Sequence, residues 1–314
     1  MRLLQLQDDG DFSLVEYVGN SIPHYAILSH TWGPDDEEVT FRDLTDGTGR
    51  GKTGYRKLTF CGKQATCDGL QFFWVDTCCI DKSSSAELSE AINSMFHWYQ
   101  RANWYYAFLD DVCADADLDS TLSQFKKCRW FTRGWTLQEL IAPDNLKFYA
   151  QNWTPIGSKI THCSVISEVT GIPISVLLGR GLQTASIAKR ISWAANRQTE
   201  RTEDKAYCLI GILDVNMPML YGEGEKAFIR LQERIIKCSL DHSLFAWPDR
   251  RSSESEGRGV LARSPADFSG SGHIVPYPSS GTAPYAMTNK GLQINLTLFS
   301  AEDAGTVQYA LLRC

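Results

Sequence analysis

A tryptophan and a glutamate four residues apart, Trp135 and Glu139, are the pair in this sequence whose types and spacing best suit chemistry. They lie in a stretch from Arg129 to Pro143 in which Glu139 is the single carboxylate. On a helix, positions four apart share one face and lie about one turn from each other. A flat aromatic ring beside a lone carboxylate can hold a ring-bearing substrate and stabilise positive charge near it. The alternative is that Trp135 belongs to the core and Glu139 is a solvated or capping acid.

A second group of polar and aromatic residues follows a short apolar run. Residues 25–28 have the length and composition of a buried strand, and Ser29, His30, Thr31 and Trp32 come directly after it. Open α/β sheets bind ligands just beyond the carboxyl ends of their strands. An ordinary exit from a strand into a loop, with Trp32 buried, is equally compatible with this pattern.

Strands and helices alternate over the first 150 residues, and this alternation predicts how those groups are positioned. The predicted strands are 25–28, 72–76, 104–110 and 145–150, and the predicted helices are 55–70, 86–102 and the region around 129–143. Strands separated by helices pair in parallel through right-handed crossovers. We therefore expect an α/β fold with an open parallel sheet, flavodoxin-like in type. The segments Ser29–Gly33, Asp76–Asp81 and Arg129–Glu139 should meet at one edge of it.

The remainder of the chain has a different pattern. Helical periodicity occurs around 158–170, 185–196, 202–214 and 224–238, whereas residues 248–282 are rich in Ser, Gly, Pro and Arg and predict a loop or linker. The last segment alternates like two strands. We therefore predict an α/β core over 1–155, a helical extension over 156–247 and a small β-rich segment over 248–314.

Composition excludes several classes of function. The net charge is −6 and no long basic run occurs, so the electrostatic footprint of a nucleic-acid partner is missing. No apolar run reaches the roughly 18 residues that a membrane span needs, and the N-terminus turns acidic too early for a signal peptide. The 10 cysteines then predict reduced thiols and a cytoplasmic location. Paired spacings typical of a structural zinc site are missing, and we expect no metal.

Three further motifs could in principle bind a phosphate group or act as nucleophiles. The stretch Gly47–Thr53 resembles a phosphate-binding loop, but three residues separate Gly47 from Gly51 where the motif needs four, and no buried strand precedes it. The pair Gly222 and Gly224 opens a helix in a GxGxxA pattern, again without a clear preceding strand. We treat both as loops. Cys78 and Cys79 follow a strand end and are alternative nucleophiles, although burial is the commoner fate of free cysteines.

Several blocks together resemble one known family. YAILSHTWG at 25–33, the stretch FFWVDTCCIDKSSSAELSEAINSMFHWYQRA at 72–102, RWFTRGWTLQELIAP at 129–143 and the piece beginning ISWAANRQT at 191 are similar to the fungal heterokaryon incompatibility (HET) domain. The likeness covers roughly residues 1–247. It implies a role in triggering cell death when genetically different fungal individuals fuse. Members often carry a nucleotide-binding oligomerisation module and repeats, so we expect a short member or an excised domain, with a nucleotide-binding oligomerisation receptor as an upstream partner.

The order of elements also resembles Toll/interleukin-1 receptor (TIR) domains. In members of that family that cleave NAD, a glutamate in a WxxxE pattern in the helix after the third strand is essential. The matching position here is Glu139. By the same resemblance, Ser29–Gly33 corresponds to a substrate-lining loop, and Thr77–Ser85 corresponds to a mobile loop that governs access and assembly. The Thr77–Ser85 loop lacks the Pro-Gly tip common in that family, and TIR domains lack the helical extension.

This second resemblance implies an NAD glycohydrolase, with NAD as substrate and no bound cofactor. Cleavage of the bond between nicotinamide and ribose passes through an oxocarbenium-like state, which a preorganised carboxylate at Glu139 would stabilise. The implied NAD contacts are Ser29, His30, Trp32, Asp81, Arg133 and Trp135. Of these, Trp32 or Trp135 would stack on a ring and Arg133 would pair with the pyrophosphate, with Arg129 as a rival.

Self-association is the further property that the resemblance implies, because TIR-type enzymes assemble to complete their sites. The alternative function is a non-enzymatic death-signalling module. In such a module Trp135 and Glu139 would belong to an interface or to the core, and toxicity would come from recruitment of a partner. Consumption of NAD by the purified chain distinguishes the two.

Overall fold

The computed structural model describes residues 1–19, 21–114, 117–248, 259–276, 283–300, 308–312 and 314. The chain divides into two compact units, Met1–Arg180 and Gly181–Cys314. No helix in the described ranges is both long and apolar enough to cross a membrane.

The first unit is built on a seven-stranded sheet with the order β2-β1-β4-β3-β5-β6-β7. Its strands are β1 Arg2–Leu6, β2 Phe12–Glu16, β3 Tyr25–His30, β4 Phe72–Trp74, β5 Trp104–Phe108, β6 Leu146–Tyr149 and β7 Pro155–Ser158. The run β4-β3-β5-β6 is parallel throughout, which confirms the open α/β sheet. Taken in chain order, these four strands have the 2-1-3-4 arrangement of flavodoxin-like sheets.

Three strands extend the sheet beyond the predicted four. β1 and β2 form an antiparallel hairpin, and β1 also pairs antiparallel with β4. β7 pairs antiparallel with β6, so the sheet continues to Ser158. The predicted order of elements began at residue 25 and missed the hairpin, because the polar turn around Gly10 (φ 83°) obscures the short strands on either side of it. The hairpin is nevertheless anchored, since Leu3 and Leu4 are fully buried.

Helices cover the sheet and fill the second unit. Their bounds are α1 Phe41–Asp46, α2 Tyr55–Cys67, α3 Asp76–Cys79, α4 Ser85–Arg101, α5 Leu118–Lys127, α6 Thr136–Ile141, α7 Cys163–Thr170, α8 Ile174–Leu177, α9 Ile187–Ser192, α10 Asp204–Tyr207, α11 Ile210–Leu213 and α12 Lys226–Ile236. The predicted helices at 55–70 and 86–102 are confirmed as α2 and α4.

Two helices of the first unit, α1 and α5, were not among the predicted elements. α1 begins at a capping box in which Thr40 and Asp43 satisfy each other's backbone amides. α5 follows Asp117, whose side chain accepts a hydrogen bond from the amide of Asp119. The acidic composition of 114–120 predicts a loop, but the chain is helical from Leu118 onward. Asp117 and Asp119 lie at the start of this helix, where negative charge is favourable.

The two faces of the sheet are covered by different helices. Trp74 of β4 packs its ring against Trp98 and Tyr99 of α4, and α6 contacts both α4 and β3. We call this side the α4 face. The neighbouring Phe73 points the other way, toward Gly62 of α2, and we call that side the α2 face. Because side chains alternate along a strand, adjacent residues at a strand end are sent to different faces.

The second unit contains α9–α12 and two small hairpins, formed by β8 Ala286–Thr288 with β9 Gly291–Gln293 and by β10 Thr297–Ser300 with β11 Gln308–Leu311. Part of the predicted linker is packed rather than solvated. Ala262 exchanges two hydrogen bonds with the side chain of Gln232, and Phe268 is fully buried. Other parts of the predicted linker, residues 249–258 and 277–282, lie outside the described residues, as do residues 301–307 between β10 and β11.

Candidate functional site

Glu139 lies on α6, a helix of six residues that is buried along its whole length. The helix does not run from Arg129, as the sequence suggested. A 3₁₀ turn over Arg129–Thr132 comes first, and α6 begins at Thr136. The Thr136 hydroxyl donates to the backbone carbonyls of Trp130 and Arg133 and thereby ties the helix to the turn. The Glu139 side chain is consequently delivered to the sheet at the carboxyl end of β3, with 8% of the residue exposed.

A chain of hydrogen bonds holds the Glu139 carboxylate. The indole Nε1 of Trp130 donates to Ser29 Oγ over 2.8 Å, and Ser29 Oγ donates to Glu139 Oε2. Since the indole can only donate, it leaves the Ser29 proton to Glu139 and fixes its direction. Trp130 is fully buried and Ser29 is 1% exposed, so this charge-assisted bond lies away from bulk water. The structure thus brings together two of the predicted site residues, Ser29 and Glu139.

Tyr99 of α4 is a further partner of Glu139. Burial raises the pKa of the Tyr99 phenol well above its ordinary value, and the negative charges of Glu139 and Asp76, together with a hydrogen bond to Glu139, raise it further. The phenol therefore stays protonated and can donate to a carboxylate. Asp76 follows β4, which pairs in parallel with β3, so the two carboxylates lie at the same edge of the sheet.

Asp76, directly after β4, organises a second group of side chains. Trp32 Nε1 donates to Asp76 Oδ2 over 3.0 Å, and His30 Nε2 lies 3.3 Å from Asp76 Oδ1. Lys82 Nζ lies 3.8 Å from Asp76 Oδ2 and 3.7 Å from the centre of the Trp32 ring. Burial alone would raise the pKa of Asp76, but the charge of Lys82 and the bonds to His30 and Trp32 prevail and lower that pKa to about 2.

His30 is buried on the α2 face, on the opposite side of the sheet from Ser29. Its Nδ1 lies 3.1 Å from Lys57 Nζ on α2, and Lys57 also pairs with Glu38. Ser29 and His30 are consecutive in β3, so the alternation of a strand separates them. His30 therefore reaches the candidate site through Asp76 rather than through Glu139.

Comparison with known proteins gives a family for this arrangement. Residues 25–126 match the family described as "Heterokaryon incompatibility protein (HET)". Vegetative incompatibility protein HET-E-1 of Podospora anserina is 52% identical over 243 residues, which are 76% of this chain and 18% of that protein. This chain contains a HET domain. It spans about a fifth of the length of that relative. No solved structure gives a significant match.

The other predicted contacts of the HET domain are distributed around the two groups. Trp135 and Arg133 are both half-buried and immediately precede α6. Arg129, the rival of Arg133, is engaged in an ion pair with Asp110. Asp81 accepts hydrogen bonds from the backbone and hydroxyl of Ser83, and these bonds lower its pKa. The Asp81 carboxylate thus stabilises its own loop.

The alternative motifs are occupied by internal contacts. Glu203 accepts hydrogen bonds from the amides of Gly222 and Gly224 at 2.8 and 3.0 Å, so an internal carboxylate fills the glycine-rich turn. Lys52 in the Gly47–Thr53 stretch binds Asp43 and the carbonyl of Glu38. Burial raises the pKa of Cys78 to about 12, and the thiol donates to a backbone carbonyl, so it is a poor nucleophile.

Four members of the site were not among the predicted contacts: Asp76, Lys82, Tyr99 and Trp130. Trp130 and Tyr99 have the apolar spacing of core residues, and nothing local marks their polar atoms as partners of a carboxylate. Asp76 and Asp81 belong to one loop, and α3, a single turn after β4, decides which of them faces the site. Asp76 could have been found, because it is the first acid after a strand that neighbours β3.

Proposed function

We propose that the HET domain is a cytoplasmic effector of vegetative incompatibility that triggers cell death by hydrolysing NAD. The observation that carries the proposal is the Glu139 carboxylate, buried at the carboxyl end of β3 and hydrogen-bonded by Ser29. A fixed carboxylate in a site of low polarity is the group that most strongly stabilises a developing positive charge. The incompatibility role is drawn from the relative HET-E-1 and the family description.

The strand order supports a TIR-like mechanism. Parallel strands in the order 2-1-3-4 place the end of β3 next to the ends of β4 and β5. Glu139 reaches this point from α6, the second helix between β5 and β6, since α5 comes first. The essential glutamate of NAD-cleaving TIR domains lies in the helix after the third strand, so the two glutamates share the same connection between strands. Asp76 and Trp32 border the same point from the neighbouring strand end. Ligands in open α/β sheets bind at such positions.

The proposed reaction needs little acid–base chemistry. The bond between ribose and nicotinamide breaks, its electron pair leaves with nicotinamide, and the positive charge of the ring passes to the sugar. Glu139 stabilises this charge through the ribose hydroxyls while water attacks the same carbon and loses a proton to solvent. The products are nicotinamide and ADP-ribose, or a cyclic form if a group of the substrate replaces water. Trp32 or Trp135 holds the cationic ring, and Arg133 pairs with the pyrophosphate.

Self-association is part of the proposal. Arg133 and Trp135 are half-buried beside α6, where a second copy of the chain can cover them. An upstream nucleotide-binding oligomerisation receptor would raise the local concentration and start the reaction. Activity should therefore rise more steeply than linearly with protein concentration.

The test is NAD consumption by the purified chain, its Glu139→Gln variant and a control variant, Glu168→Gln, across a series of protein concentrations. Glu168 is an exposed glutamate of α7 paired with Lys126. We expect Glu139→Gln to lose at least about 100-fold in turnover, since the stabilising charge is removed, while Glu168→Gln keeps it. Equal turnover in both variants, with both folded, would overturn the assignment of Glu139.

The second candidate function is a recruitment module without catalysis. It is favoured by the same burial, because a carboxylate that is 8% exposed and already hydrogen-bonded is also what a structural role produces. In that case the purified chain consumes no NAD at any concentration, even when it is clustered by a fused oligomerisation domain.

A further inference from the structure

The first unit contains a cleft on the α2 face that the proposed function does not use. Its volume is about 560 Å³, within the range typical of small-molecule sites. We call it the α2 cleft. Its lining residues are Arg50, Gly51, Lys52, Thr53, Tyr55, Arg56, Thr59, Phe60, Lys63 and Trp153. Four of these side chains are cationic and none is a carboxylate, in a protein whose net charge is −6.

Two of the cations are available for a ligand. Arg56 and Lys63 are exposed on α2, and neither has an ion pair or a side-chain hydrogen bond within the described part of the chain. They are seven positions apart, so they lie on one stripe of the helix and about 10 Å apart along its axis. Thr59 and Phe60 lie on the stripe between them. Arg50 and Lys52, in contrast, are engaged by Asp11 and Asp43.

One wall of the α2 cleft is rigid. Trp153 is stacked between Phe60 and Phe108, with ring centres 3.9 and 3.8 Å away. Its backbone has a φ of 64°, a left-handed conformation that costs a bulky residue of order 1–3 kcal/mol and persists only where the surroundings impose it. Both faces of the indole are occupied, so Trp153 offers an edge to a ligand rather than a stacking surface. Trp153 therefore shapes the cleft, and the cationic side chains are the groups that can bind a ligand.

The α2 cleft lies on the opposite side of the sheet from Glu139. Phe108 pairs in register with His30, so these two side chains share the α2 face, whereas Ser29 and Glu139 meet on the α4 face. The cleft is also different from a P-loop, since Lys52 already binds Asp43 and the preceding element is α1 rather than a strand. Recognition here would come from side chains.

We propose that the α2 cleft binds the polyphosphate chain of a small anionic ligand, at a site distinct from Glu139. Arg56 and Lys63 supply charge-assisted hydrogen bonds, and Arg supplies the bidentate geometry that suits a phosphate. The concave shape and size fit a soluble ligand such as a nucleoside polyphosphate or an inorganic polyphosphate, which share this chemistry. Such a ligand would bind whether or not the α4 face hydrolyses NAD.

Isothermal titration of the whole chain with sodium triphosphate and with ATP, both without magnesium, tests this site. Removing two charge-assisted contacts should weaken binding at least about tenfold in the double variant Arg56→Gln/Lys63→Gln. The matched control is Lys127→Gln/Lys237→Gln, which removes the same charge from two exposed lysines outside the cleft. Binding of ATP alone would identify a nucleotide ligand, and equal binding of both would identify the phosphate chain as sufficient; either result supports the site.

Three outcomes would overturn the proposal. The first is no binding of either probe at millimolar concentration, and the second is equal weakening in the cleft and control variants, which would reflect net charge alone. The third is capture only by vesicles that contain phosphoinositides. The Glu139→Gln variant should bind triphosphate like the wild-type chain. If the cleft variant lost NAD turnover together with triphosphate binding, the two sites would not be distinct.

Discussion

The candidate site on the α4 face and the α2 cleft hold their charged side chains in opposite environments. On the α4 face, Glu139 is buried, and its partner Ser29 is held in place by the buried indole of Trp130. On the α2 face, Arg56 and Lys63 remain exposed above a rigid aromatic wall. A buried charge needs preorganised partners to be tolerated, whereas an exposed charge needs none until a ligand arrives. The candidate site is therefore suited to hold one group in a fixed geometry, whereas the α2 cleft is suited to attract an anion from solution.

The largest effect should come from the support of Glu139. Trp130→Ala removes a fully buried ring that contacts Phe131 and Phe148 and donates to Ser29, and it should lower the free energy of unfolding by about 3–5 kcal/mol. Trp130→Phe keeps an aromatic ring and loses the donor, which should cost much less. Urea denaturation of both variants measures the difference. Equal losses would mean that packing contributes nothing beyond the hydrogen bond.

Asp76 should make the free energy of unfolding depend on pH in the acidic range. Its pKa of about 2 lies below the unfolded value of 3.8, so its contribution to stability is complete above about pH 5 and is lost as the pH falls toward 2. The shift corresponds to roughly 2 kcal/mol. Asp76→Asn should therefore be less stable than wild type at pH 7 by up to about this amount, with the gap closing as the pH falls toward 2. The exposed Asp36→Asn is the control, and a gap independent of pH would contradict the ion-pair assignment.

At position 153, a glycine variant should be more stable than an alanine variant, which is the reverse of the usual order. Both Trp153→Ala and Trp153→Gly remove the stack with Phe60 and Phe108, but only glycine accepts the left-handed backbone without strain. Trp153→Gly should be more stable than Trp153→Ala by about 1 kcal/mol. Thermal unfolding of the two variants checks this. An alanine variant of equal or higher stability would show that the loop relaxes once the ring is gone.

The smallest effect on stability should come from the cations of the α2 cleft. Arg56→Gln/Lys63→Gln should leave the free energy of unfolding within about 0.5 kcal/mol of wild type, because neither side chain has a partner to lose within the described residues. Denaturation in urea without ligand is the measurement. A clear gain in stability would show that the two charges repel each other in the free protein.

The sequence predicted the parallel strands well because each is a buried apolar run bounded by polar residues. It also predicted that Ser29 and Glu139 lie close together, because both belong to segments that follow parallel strands and so meet at one edge of the sheet. The separation of Ser29 from His30 could have been inferred from the period of a strand. The roles of Tyr99 and Trp130 could not, because an indole or phenol in an apolar stripe reveals its hydrogen-bond partner only after the helices have packed. The β1–β2 hairpin was missed since its strands are short and lie beside an acidic turn.

The position of Lys82 has one more consequence. Its ammonium group lies over the Trp32 ring and beside Asp76, where a cationic aromatic ring would be attracted for the same electrostatic reasons. A cationic ring that binds in this position must displace the Lys82 ammonium group, so binding exchanges one cation for another. If NAD binds as proposed, Lys82 competes with the nicotinamide ring for this place. The fraction of protein with a bound ring would then depend on how much more tightly Trp32 and Asp76 bind the ring than Lys82. Contacts that stabilise the loop carrying Lys82 would therefore weaken ligand binding.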